Sequence, residues 1–378
     1  MQPFRPFEME RWQSTYEYRV DFNLSESGVH PLSVRELLDL AGQETADDTL
    51  LGYGQSNGSD ELRAAVAALY PDASEAGVVV CNGSAEANFA AMWRLVHPGS
   101  EVVVVVPTYA QTIGLVQMLG GTVKTVPLLE ENGWQPDPAA IRAAAGDRAR
   151  VIVVTNPNNP TGALLSSEAR EAVVAAAERS GAWIVADEVY MGAELSGRET
   201  PSFFGATERV VATGSLSKAY GLPGLRIGWT VSPPATREEL WARTDYTTIA
   251  PGTLTDRLAH MALSPEVRPR LLERTRERIV AGLEILEAWM ADVGVFSYRR
   301  PEAGAICYVK YDLPVGSTEL AERLRAEHSV LVVPGDHFGM DGYVRFGIGN
   351  PPEELHAALE RVGEAVRALR QEGVSTPL

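Results

Sequence analysis

Val151-Ile-Val-Val-Thr155 runs directly into Asn156-Pro-Asn-Asn159-Pro-Thr-Gly162, and this junction decides the fold. The first half is β-branched without polar alternation, the pattern of a strand covered on both faces. The second half is a turn dense in Asn, Pro and Gly. It leaves side-chain amides exposed at the strand's carboxyl end, where parallel sheets bind ligands. Similar short runs at 77–81, 101–106, 122–126, 182–187, 209–214 and 226–231 alternate with segments of helical spacing such as 84–96 and 166–180. The rhythm predicts an α/β protein with a doubly wound, mostly parallel sheet of seven strands.

Beyond about residue 251 the rhythm changes. A long charged amphipathic helix to about 290 precedes short strands near 306–310, 330–333 and 343–348, and a last helix spans about 352–370. This is the pattern of a smaller α+β unit, and the irregular, Pro-bearing first 45 residues are expected to wrap against it. The expected division is therefore a large unit, 46–252, and a small one, 1–45 with 253–378.

The chain of 378 residues carries 33 basic against 50 acidic residues, a formal net charge of −17, with no Lys/Arg cluster. Nucleic acid and anionic membranes are thereby disfavoured as partners. Cys81 and Cys307 each lie in an apolar run, without a CxxC or Cys/His cluster, so neither a disulfide framework nor a metal site is expected, and both read as core. The N-terminus lacks an apolar core of signal-peptide length, and no run reaches the ~18 apolar residues of a membrane span. The expectation is a soluble cytoplasmic protein.

Candidate chemistry gathers at the strand ends. Ser215-Leu-Ser217-Lys218-Ala-Tyr-Gly-Leu-Pro-Gly-Leu-Arg226-Ile-Gly228 places a lysine between small hydroxyl residues at a turn, where it can serve as an imine-forming amine. Ala186-Asp187-Glu188-Val189-Tyr190 ends an apolar strand in an acid able to pair with a protonated ring nitrogen. Cys81-Asn82-Gly83-Ser84-Ala85-Glu86 joins a strand to a helix, so the N–H groups of Ser84 and Ala85 can meet an anion. Each has an ordinary alternative: a solvated loop lysine, an acid capping the next helix, a plain Ser cap.

Taken together, these segments resemble the fold type I pyridoxal-phosphate enzymes, specifically the class I/II aminotransferase family, over almost the whole chain. The resemblance implies pyridoxal 5'-phosphate as cofactor, and an amino group moved between an L-amino acid and a 2-oxo acid. It implies that Lys218 forms the imine with the cofactor and then shuttles a proton, and that Asp187 holds the ring nitrogen protonated. Asn159 and Tyr190 would bond the ring hydroxyl, and Tyr109, in Pro107-Thr-Tyr109, would stack on the ring. Ser215, Ser217 and Arg226, with the N–H groups of Ser84 and Ala85, would hold the phosphate. Arg345, in Tyr343-Val-Arg345-Phe346 after Pro334-Gly335-Asp-His-Phe338-Gly339, would bind the substrate α-carboxylate, with Asn159 beside it. Tyr53, spaced from Gly58 and Glu61-Leu62 as in the family, would reach the phosphate of a partner subunit, which implies a homodimer with shared sites.

One segment departs from the family pattern. Where a Gly-x-Pro stretch often closes over the substrate, this chain reads Asn23-Leu-Ser25-Glu26-Ser27-Gly28-Val29-His30-Pro31. This resembles the capreomycidine synthases, a branch of the family that eliminates and cyclises an arginine derivative. Gly28 is expected to pass close to the ligand, and Glu26 to contact a basic side chain. The second reading is therefore elimination, cyclisation or oxidation of a basic amino acid on the same cofactor. A non-enzyme reading is a ligand-sensing regulator domain on this fold, although no basic helix precedes Tyr53. A nicotinamide dehydrogenase is disfavoured, because no Gly-x-Gly-x-x-Gly follows a first strand. His337 and Trp12, Trp93 and Trp183 read as structural.

Overall fold

The computed structural model describes residues 6–374. Its large sheet has eight strands in the order Val78–Cys81, Gly228–Val231, Val210–Ser215, Trp183–Asp187, Ala149–Thr155, Glu101–Val106, Thr122–Leu129 and Gln135–Pro136. Seven are the expected runs; the eighth is a two-residue edge strand antiparallel to the end of Thr122–Leu129. It follows Gly133, whose φ of +72° makes the hairpin turn. Too short for periodicity to reveal and carrying a proline, it sits where proline is tolerated, at the edge. Gly228–Val231 runs antiparallel to both neighbours, whereas the interior pairings are parallel.

Alternate residues of the central strands feed separate apolar layers. Val103, Val105, Ile152, Val154 and Ile184 pack on one face, and Val102, Val104, Val151, Val153 and Val185 on the other. The uninterrupted apolar runs thus satisfy two buried faces. Parallel register also aligns the carboxyl ends: Thr155 pairs with Asp187, and Asp187 with Thr213.

A second, antiparallel sheet has the order Phe296–Tyr298, Ile306–Tyr311, Tyr343–Gly347 and Val333–Pro334, flanked by helices Arg268–Val293, Ser317–His328 and Pro352–Val374. The long helix expected from about 251 is two, Thr253–Ala262 and Arg268–Val293, interrupted at Ser264-Pro265 because proline cannot continue a helix interior. Residues 6–45 are more ordered than expected. They carry helices Glu8–Tyr16 and Val34–Leu40, the latter opened by a Ser33/Glu36 capping box. Phe22–Asn23 pairs in parallel with Val330–Leu331. Among the described residues, no helix is long and apolar enough to cross a membrane.

Candidate active site

The carboxyl ends of the parallel strands open into a cavity of about 330 Å³, lined among others by Lys218, Asp187, Tyr190, Asn159, Arg226 and Arg345. Lys218 follows the end of Val210–Ser215, and its Nζ lies 3.6 Å from a Glu26 carboxylate oxygen. Burial pulls the Lys218 ammonium down, but Glu26 and the Tyr190 phenol outweigh it and hold the amine above its ordinary value. Lys218 in turn lowers Glu26 against the opposing effect of burial. The Gly28 backbone presses on this lysine: a Cβ there would stand 3.3 Å from the Ser217 carbonyl and 3.5 Å from Lys218 Cδ.

One end of the cavity is suited to an anion. Ser84 and Ala85 line it at the start of helix Ser84–Leu95, where backbone N–H groups have no intrahelical acceptor. Arg226 faces the same end; its guanidinium donates to the Pro223 carbonyl at 3.0 Å and makes a long contact, 3.5 Å, to Ser217 Oγ. Two glycines make this packing possible. A Cβ on Gly83, whose φ is +82°, would lie 2.2 Å from Arg226 Nη2, and one on Gly228 would lie 2.4 Å from Ser84 N.

At the floor, Asp187 is buried and accepts from the Asn88 amide at 2.9 Å and from Val189 N–H at 3.2 Å. Burial raises its carboxyl, and these two bonds oppose the rise. Asn88 in turn accepts from the Thr213 hydroxyl at 2.8 Å. Glu188, the next residue, anchors the chain away from the cavity by accepting from Ser202 Oγ and Phe203 N–H, and burial pushes its carboxyl up to about 7.

At the opposite end, Arg345 is 1% exposed. It donates from Nη1 to Asn159 Oδ1 at 2.8 Å and from Nη2 to the Ser25 carbonyl, while its Nε has no partner. Burial pulls its guanidinium down. The N-terminal segment is held there by close backbone approach, since a Cβ on Gly347 would sit 2.1 Å from the Glu26 carbonyl.

Helix Glu8–Tyr16 forms a roof that the sequence reading missed. Met9, Glu10, Gln13, Ser14 and, just beyond it, Glu17 line the cavity. Glu10 accepts from the Tyr109 hydroxyl at 2.9 Å, and Gln13 donates to the Ser25 carbonyl at 2.8 Å. Burial, then the charges of Glu26 and Glu10, raises the Glu17 carboxyl. The signal was present: Glu10, Gln13, Ser14 and Glu17 have the spacing of one helical face. Asn88 was missed too, being a lone amide on the apolar face of helix Ser84–Leu95.

The structure brings Lys218, Asp187, Tyr190, Asn159, Ser84, Ala85, Tyr109, Ser217, Arg226 and Arg345 to one cavity. Ser215 is buried beneath it, accepting from Ser217 N–H at 3.2 Å. Tyr53 is not among the lining residues and is 92% exposed.

A site of this kind, with a lysine amine, a buried carboxylate beneath it and an anion cradle at a helix start, defines a fold type I pyridoxal-phosphate enzyme. The chain belongs to the aminotransferase class I and II family, whose model matches residues 22–362, and its cofactor is pyridoxal 5'-phosphate. It is 35% identical to capreomycidine synthase of Streptomyces vinaceus over 363 residues, 94% of this chain and 92% of that protein. It is 30% identical to aspartate/prephenate aminotransferase of Thermus thermophilus over 317 residues, 82% of each chain. A solved PLP-dependent aminotransferase from Streptococcus suis superposes with a TM-score of 0.92 at 32% identity, covering 98% of this chain and 99% of that one. The family is one of enzymes, and the regulator reading is set aside.

The residues present fit the cofactor. Ser84, Ala85, Ser217 and Arg226, together at one cavity, would hold its dianionic phosphate, and Lys218 would offer the amine. The bound cofactor supplies an electron sink for a carbanion at the substrate Cα. Asp187 presents a carboxylate for a ring nitrogen.

Proposed function

We propose that this enzyme removes the α-proton from an L-amino acid bearing a cationic side chain, and that transamination with a 2-oxo acid is its reaction. Lys218 is the cofactor-linking amine and proton carrier, Asp187 the partner of the ring nitrogen, and Asn159 and Tyr190 the contacts of the ring hydroxyl. Tyr109 is the ring's stacking neighbour, Ser215 supports the phosphate cradle from below, and Arg345 with Asn159 takes the α-carboxylate. The large unit, 46–252, carries the cofactor, and the small one, 1–45 with 253–378, closes on the substrate in the cytoplasm.

The observation that carries the substrate class is the roof. Glu10, Glu17 and Glu26 line the same cavity as Arg345, so an anion seat and a cluster of carboxylates share one ligand volume. An amino acid with a distal cation satisfies both, whereas an acidic side chain meets like charge. Elimination or cyclisation is the second reading, favoured by the similarity to capreomycidine synthase and by Glu26 beside Lys218. It shares the first proton removal and differs in which bond then breaks.

The test adds single amino acids to the loaded enzyme without oxo acid and follows its visible absorption. Basic donors are expected to convert the spectrum and acidic ones not; ammonia release without need of an oxo acid would select the second reading. In Glu17→Gln, basic donors are expected to weaken several-fold while neutral ones change less than about twofold. Preference for acidic donors in the unaltered enzyme would overturn the substrate class.

We propose further that the working form is a homodimer. Leu50, Leu51, Tyr53, Tyr246 and Ile249 are exposed, and the 50–53 stretch is tied to the start of helix Thr253–Ala262 by the Thr253 hydroxyl donating to the Gly52 carbonyl. Exposed apolar groups of this kind mark association surfaces, and a partner's loop would bring the residue equivalent to Tyr53 to the phosphate. Sedimentation of the loaded enzyme is expected to give a dimer, and Tyr53→Phe to weaken cofactor binding several-fold. A fully active monomer would remove Tyr53 from the site.

A further inference from the structure

Helix Ser84–Leu95 turns a face made of Ala87, Ala90, Ala91 and Leu95 to the interior, yet Asn88 among them is 1% exposed. A buried amide costs free energy that an apolar side chain of similar size would not, so its retention calls for a reason beyond packing. Its surroundings supply one. The carboxylate of Asp187 can only accept, so the Asn88 NH₂ must face it, at 2.9 Å. The amide oxygen is then fixed toward Thr213, whose hydroxyl donates to it at 2.8 Å. Thr213 is fully buried and is Asp187's register partner on the neighbouring strand.

We infer that Thr213 and Asn88 form a relay of positioning residues that aims the Asp187 carboxylate into the cavity and keeps it ionised for the ring nitrogen of the cofactor. The inference rests on the proposed role of Asp187. One oxygen of Asp187 is taken by Val189 N–H and the other by Asn88, which fixes the carboxylate plane while each oxygen retains acceptor capacity. Asn88 is neutral. It stabilises the charged form by hydrogen bonding alone and leaves the negative charge whole for the pyridinium, which a cationic neighbour would not. Its second N–H points toward Gln111, 3.4 Å away, whose amide donates to the Ala85 carbonyl at 2.8 Å. The relay thereby touches the same helix start that faces the phosphate.

The test loads the unaltered enzyme, Asn88→Ala, Thr213→Val and Asp187→Ala with pyridoxal phosphate, and in parallel with its 1-deaza analogue, which has no ring nitrogen. Affinity is measured for each, together with the pH at which the bound cofactor's absorption titrates. Asn88→Ala is expected to weaken pyridoxal phosphate about ten- to a hundredfold, the range of a lost bond to a charged group, and to shift the titration. Thr213→Val, which keeps shape but frees the amide to turn, is expected to weaken it a few-fold and to shift the titration the same way. Both should alter the deaza analogue less than about twofold. Equal losses for both cofactors, or an unmoved titration, would reduce Asn88 to a packing residue and overturn the relay. If Asn88→Ala fails to fold, Thr213→Val decides alone. If Asp187→Ala weakens both cofactors equally, so that its loss does not depend on the ring nitrogen, the role of Asp187 fails, and the relay falls with it for that distinguishable reason.

Discussion

Lys218→Ala is expected to give a folded protein that binds cofactor weakly, shows none of the absorption of a lysine-linked cofactor and turns over no amino acid. Among the described residues Lys218 is the only lysine lining the cavity, so no neighbouring lysine could replace its amine in the proposed linkage. Loss of a positioned general base alone costs about 10²–10⁴ in rate, and loss of the linkage adds to that. Folding should survive, because the side chain's one ion pair, to a half-exposed Glu26, is long at 3.6 Å, and pairs of that exposure contribute little. Turnover within tenfold of the unaltered enzyme would move the chemistry to another residue. Spectroscopy separates the two losses, since weak cofactor binding without the linked band can be overcome with excess cofactor and the missing amine cannot.

Lys218, Asp187 and Asn159 were legible for one physical reason. Each ends or follows a parallel strand whose apolar run is unmistakable, and in a doubly wound sheet those ends share an edge. The register then does the rest, putting Thr155, Asp187 and Thr213 side by side. Arg345 was legible only through its motif, because nothing local says that strand Tyr343–Gly347 of the second sheet will reach Asn159, 186 residues earlier. Asn88 carried no local mark at all. Its meaning comes from Asp187, 99 residues on, and Thr213, 125 residues on, and an isolated Asn in a helix reads as a mild defect. The acidic roof lay in a stretch that its prolines made look irregular. Its helical face became meaningful only when Gln13 and Glu10 were seen tied to Ser25 and Tyr109.

This difference has a consequence for specificity. The floor of the cavity belongs to strand ends, where backbone hydrogen bonds in a buried sheet leave little freedom. The roof belongs to a short helix and to the 24–29 segment, whose ends are tied by backbone bonds from Leu24 N–H to the Leu331 carbonyl and from His30 N–H to the Gly349 carbonyl, while its middle is met by the Gln13 side chain. Substitutions on the roof can therefore change which amino acid enters without disturbing the proton chemistry beneath. The chain's departure from the Gly-x-Pro pattern falls on this roof, which is where a change of substrate would be expected to act.

Arg345→Ala is expected to raise the Michaelis constant for every α-amino acid by about ten- to a hundredfold, with a smaller change in kcat. A charge-assisted bond to a carboxylate is worth about 1.5–3 kcal/mol, and each 1.4 kcal/mol is tenfold in affinity. The guanidinium is already desolvated and aimed, held by Asn159 and the Ser25 carbonyl with Nε unpartnered, so a substrate carboxylate meets a site whose ordering cost is met in advance. Arg345→Lys should recover only part of the loss, because an ammonium cannot span Asn159, Ser25 and a carboxylate as the planar fork does. A control separates this role from structural damage. An amine lacking the α-carboxylate should bind the unaltered enzyme and Arg345→Ala with affinities within about threefold, whereas a distorted pocket would penalise it as heavily as the amino acid. An unchanged Michaelis constant in Arg345→Ala would assign the carboxylate to another residue and remove the pairing of an anion seat with the roof carboxylates on which the proposed substrate class depends.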